Sequence, residues 1–123
     1  MTTKWSHLPN AAHIDAVLAS LKANPDEWNA ARGAAWDAAR VAAWDAAWDA
    51  ARVAAWDAAW DAAYIAARDA ILALISYNDC AHMLESDPDE LRVLSKLGVD
   101  AATLMIPAAI AFKSIREKQE AVL

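Results

Sequence analysis

With 123 residues and a net charge of −6, the chain has room for one domain with a modest core, and the wrong sign for gripping a nucleic-acid backbone. A single cysteine, Cys80, excludes an intramolecular disulfide framework and fits a reducing cytoplasm; Met1–Trp5 shows no charged stretch leading into an apolar one, so no secretory signal is expected. The hydrophobic fraction of 59% is inflated by Ala, which leaves the seven Trp to supply much of the apolar area.

Met1–Pro9 reads as an irregular leader, with Trp5 and Leu8 free to dock on a neighbouring helix. Asn10 is a good N-cap for a first helix over 10–23, in which Ile14, Val17, Leu18 and Leu21 fall on one buried stripe. Asn24-Pro25-Asp26-Glu27 starts the next one, with Asn24 as cap, Pro25 in the first position and Glu27 placed to close a capping box. Almost nothing joins the two helices, so a corner or a hairpin is expected between them.

From Trp28 to Ile71 a four-residue unit then repeats without a gap: WNAA, RGAA, WDAA, RVAA, WDAA, WDAA, RVAA, WDAA, WDAA, YIAA, RDAI. The block WDAARVAAWDAA at Trp36–Ala47 recurs letter for letter at Trp48–Ala59, an internal repeat. Ala is the best helix former and Pro is absent between Pro25 and Pro88, so the spacing predicts a continuous helix. Each unit advances its first residue by about 40° and about 6 Å, so Trp and Arg trace a right-handed spiral. Positions four apart touch, which sets Arg32 between Trp28 and Trp36, Arg40 between Trp36 and Trp44, and Arg52 between Trp48 and Trp56. Guanidinium stacked on indole makes a ladder there, while the Ala pairs leave a groove that admits a second helix at close range. Duplication of a tolerated Ala-rich spacer is the plainer account of the same pattern.

The long helix is expected to run over 25–84, through the apolar residues Ile71, Leu72, Leu74, Ile75, Cys80, Met83 and Leu84. Ser76, Asn78 and Asp79 are weak helix residues and mark 76–79 as the place for a kink. Unbroken, that helix would be about 90 Å long. Asp87-Pro88 caps and starts a helix over 88–97, stopped by Gly98, and Asp100 caps a last helix over 101–120 with a kink at Pro107. The fold class expected is all-α, a single helical domain: one long Ala/Trp-rich central helix with period-4 repeats, packed with three shorter helices in an elongated hairpin or bundle.

Reactive chemistry has one candidate, the run Tyr77-Asn78-Asp79-Cys80-Ala81-His82, where Asp79 and His82 at i and i+3 on a helix could share a proton or a metal. Zinc needs three or four ligands, and nothing in the sequence brings His7 or His13 to this run. Capping, hydrogen bonding and packing account for the same residues. No Gly-rich phosphate loop, nucleophile elbow or His-Glu-x-x-His helix is present, so no enzyme, cofactor or metal is expected. An Asp or Arg in almost every unit also rules the repeat out as a membrane span.

The segments WSHLPNAAHIDAVLASLKANPDEW, the Trp-Asp-Ala-Ala and Arg-x-Ala-Ala units, ALISYNDCAHMLESDPDELRVLSKLG and LMIPAAIAF together resemble small proteins of tailed bacteriophages and prophages. The resemblance spans nearly the whole chain, and its C-terminal part is the more specific. It implies action in the cytoplasm of a bacterial host as an accessory or host-takeover protein, with inhibition of a host defence typical of such short genes; it carries no catalytic or binding residues across. From the Trp/Arg spiral itself, partner binding or self-association is expected through Trp36, Arg40, Trp44, Trp48, Arg52, Trp56, Trp60 and Tyr64, with a host or phage protein or further copies of the chain as partner. The rivals are a structural oligomer or ruler in particle assembly, and a small metal-dependent or acid/base enzyme at Asp79 and His82.

Overall fold

The computed structural model describes residues 8–31, 42–47 and 65–122. In chain order they form α1 (Ala11–Ala23), α2 (Pro25–Ala30), a helical stretch at 42–47 (α3), α4 (Ile65–Ser76), a 3-10 turn (Ala81–Glu85), α5 (Pro88–Lys96) and α6 (Asp100–Val122). The described residues are all-α, with no strand among them.

The core is built around α4. From Ala67 to Leu74 every side chain except that of Arg68 is buried, Asp69 included. A helix apolar on nearly every side needs cover all round, and α1, α2, α3 and α6 supply it. The largest neighbour is α6, whose residues 101–109 are all buried; α5 packs on its outer side.

The uninterrupted helix over 25–84 does not form. Ser76 Oγ donates to the Ala47 carbonyl at 2.9 Å and Trp44 Nε1 donates to Asp69 Oδ1 at 3.1 Å, so α3 lies alongside α4. On one straight helix, positions 47 and 76 would stand about 44 Å apart. The two positions are therefore not on one straight helix. The helix also stops at Ser76 where a kink was expected, because its end is capped from a distance. Asn10 is buried and gives one amide hydrogen to the Leu74 carbonyl and one to the Tyr77 carbonyl, both at 3.0 Å. The Cys80 thiol points at the carbonyls of Ala73 and Tyr77, at 3.4 and 3.3 Å. Carbonyls that a helix end would leave bare in the core thus have partners.

These bonds also correct two caps. Asn10 precedes α1 but makes no side-chain bond to it, since its amide is spent on α4. Asn24 makes none to α2; its Nδ2 donates backward to the Ser20 carbonyl at 3.2 Å, closing α1 instead. Glu27 joins no capping box and pairs with Lys118 on α6. Asp87 does cap α5, accepting from the Asp89 N–H at 2.8 Å. At its other end the Gly98 and Val99 N–H groups reach back to the Ser95 and Leu94 carbonyls, a closure that needs the positive φ of 91° that Gly98 adopts.

Pro107 does not interrupt α6, which runs through it to Val122. A mid-helix Pro costs about 3 kcal/mol. Leu104, Met105 and Ile106 beside it are buried, each contributing roughly 2 kcal/mol, so packing outweighs the lost backbone bond.

Candidate functional site

Of the eight residues expected to bind a partner, Trp44 alone lies among the described ones; Trp36, Arg40, Trp48, Arg52, Trp56, Trp60 and Tyr64 lie outside them. Around Trp44 the unit is two-sided. Ala43 and Ala47, four apart, are buried against the core, whereas Ala42, Asp45 and Ala46 are exposed. Trp44 sits at the edge between the two, half-buried, its indole N–H on the carboxylate of Asp69. The Ser76 hydroxyl of α4 reaches the backbone carbonyl of buried Ala47 at 2.9 Å. Here one Ala of each unit, Ala43 and Ala47, faces the chain's own core, while its pair-mate, Ala42 or Ala46, is exposed.

Trp28, which opens the repeat, has gone fully inside. Its indole N–H donates to Ser20 Oγ at 3.0 Å, and its ring meets Phe112 of α6 edge-on, with centroids 5.4 Å apart and planes at 81°. The one buried carboxylate among the described residues, Asp69, was not a candidate in the sequence. Its signal was there: it is the last charge before an apolar run, Ala-Ile-Leu-Ala-Leu-Ile following it.

The Tyr77–His82 run does not present a helical pair. The chain turns at 77–80, so Asp79 falls in the turn and His82 on the 3-10 segment after it, both exposed. Cys80 is buried, and loss of hydration pushes its thiol up to about 11, helped by the nearby Asp79 charge. That is the chemistry of a packed thiol and not of a nucleophile. Desolvation likewise raises the Tyr77 hydroxyl above its ordinary range. Among the described residues no three His, Cys, Asp or Glu side chains are grouped to hold a metal ion.

What the sequence did not bring together, the fold does. His13 of α1 and His82 of the 3-10 turn line one cleft of about 310 Å³, with Ala16, Ala81, Leu84, Glu85, Phe112 and Arg116. A second, open depression lies between the start of α5 and α6, where Asp87, Asp89, Arg92, Lys113 and Glu117 mix both charges. On α5, Val93 and Leu97 stand 59% and 75% exposed, an apolar pair one turn apart. Among the described residues no helix is long and apolar enough to cross a membrane.

No family model, no curated protein and no solved structure matches this chain.

Proposed function

We propose that the chain is a non-catalytic interaction protein that grips a protein partner, or further copies of itself, with its repeat. The reading rests on the two-sided unit at 42–47, where buried Ala43 and Ala47 let a helix approach closely and Trp44 closes the edge with a directed hydrogen bond. The sequence writes the same letters again at 48–59, so the same chemistry is on offer more than once. In this reading Trp48, Arg52, Trp56, Trp60 and Tyr64 form the partner-facing part of the spiral, together with Trp36 and Arg40. An amphipathic helix is the natural occupant of such a groove. With the phage resemblance, the partner is a bacterial host protein and the site of action the host cytoplasm, inhibition of a host defence being one form this takes.

The test compares the parent with a Trp48→Ala/Trp56→Ala double variant, both checked for helicity by circular dichroism. Solution mass is measured first: a monomer or dimer fits the host-partner reading, and open-ended assemblies mean the chain is a structural oligomer. Captured host protein must then fall away with the double variant while helicity is kept. Equal capture by both proteins would remove the spiral from the account.

A further inference from the structure

We infer that the cleft between α1, the 3-10 turn and α6 is a binding site for a small apolar monocarboxylate, an arylalkanoate or a medium-chain alkanoate. Leu84, which lines it, is buried, Ala16 and Ala81 add methyl groups, and Phe112 lines it half-buried. The Phe112 ring is fixed from behind: its contact with Trp28 is edge-on at 5.4 Å, and Trp28 is itself anchored to Ser20 of α1. An apolar wall whose orientation is already settled costs a ligand little ordering on binding.

Charge decides what sits on that wall. Arg116 lies one turn beyond Phe112 on α6, half-buried, and has no ion-pair partner among the described residues. A guanidinium in this position holds its hydrogen-bonding fork ready for a carboxylate, which it meets with two parallel bonds. The imidazoles of His13 and His82 add N–H donors at the rim. Glu85 also lines the cleft, but it is the more exposed of the two charges, so water screens it more than Arg116. The balance favours an anion over a cation. With one Arg and a mostly apolar wall, the site fits a single carboxylate and not a polyphosphate. Its volume of about 310 Å³ stands at the small end of organic-ligand sites, roughly 300–1,000 Å³, so the ligand has one ring or a short chain.

The test uses the full chain and three probes with the same apolar body: hydrocinnamate, hydrocinnamyl alcohol and hydrocinnamylamine. Binding is read by calorimetry, and its location by NMR shifts of the His13, His82 and Phe112 rings. Hydrocinnamate is expected to bind about tenfold or more tighter than the alcohol, with the largest shifts on those three rings. Arg116→Gln should reduce it to the level of the alcohol, and Arg116→Lys should restore part of the loss. Ala16→Phe, which fills the cleft from the exposed side of α1, should abolish binding of all three and serves as the blocking variant if Arg116→Gln fails to fold. Equal binding of acid and alcohol, tighter binding of the amine, or shifts lying elsewhere would each overturn the site.

Discussion

Asp45 and Asp69 hold the same place in the same four-residue unit, directly after Trp44 and Arg68, yet Asp45 is exposed and Asp69 is completely buried. The unit sets the helix; the position of that helix in the bundle sets the environment. α3 meets the core along the Ala43–Ala47 edge alone and keeps its acid in water. α4 is covered on all sides and takes its acid inside, where the Trp44 indole must answer it. A repeated sequence thus does not produce a repeated surface.

The sharpest way to break this comparison is to remove each acid. Asp69→Ala deletes a fully buried side chain, loses the bond from the Trp44 indole and leaves a cavity, so it should destabilise the fold by about 2–4 kcal/mol. Asp45→Ala should stay within about 0.5 kcal/mol of the parent. Urea unfolding of both variants gives the answer, and similar values would mean that the two positions are equivalent after all. Next in size is Trp44→Phe, which keeps most of the ring and loses the N–H. It should cost about 1–2 kcal/mol, for the lost bond to the buried acid, measured in the same way.

Two smaller effects depend on pH. The Cys80 thiol titrates near 9.0 when free and is raised to about 11 by burial. Below 9.0 both states keep the proton; between there and about 11 the unfolded chain releases it and the folded one holds it, so stability falls as pH rises. Denaturation on either side of that window should show the decline in the parent and less of it in Cys80→Ala. Smallest of all is the surface pair of Glu27 and Lys118. Its bond to Lys118 holds the Glu27 carboxyl below its ordinary value, so the contribution is present at neutral pH and lost as pH falls through the lowered value. Glu27→Gln should flatten the acid side of the stability profile and leave neutral-pH melting nearly unchanged.

Local signals were readable along the chain wherever neighbours in sequence decide the structure. The Asp87-Pro88 start and Gly98 stop of α5 are of this kind, as is the Ile14–Val17–Leu21 stripe of α1. Residues whose partners come from far along the chain were not readable. Asn10 looks like a cap of the helix it precedes, and only the return of α4 beside it redirects its amide to Leu74 and Tyr77. The helix-breaking residues after Ser76 gave the right place for a disturbance. The complete stop there needed Asn10 and Cys80 to satisfy the freed carbonyls. The cleft was hidden for the same reason. His13 and His82 stand on elements far apart in sequence, and only the fold sets both on one cleft with Phe112 and Arg116 of α6. At Pro107 the helical assignment continues, and the neighbours Leu104, Met105 and Ile106 are buried.

The unit at 42–47 packs by phase, with Ala47 against a helix and Ala46 in water, and adjacent substitutions separate the two faces. Leu is as good a helix former as these positions require, so propensity changes little in either variant. Ala46→Leu should melt within a few degrees of the parent. Ala47→Leu drives a larger side chain between α3 and α4 and strains the bond from Ser76 to the Ala47 carbonyl; overpacking of this kind costs about 1–3 kcal/mol, with a matching drop in melting temperature. Equal melting temperatures for the two variants, or a larger loss at Ala46, would contradict the account.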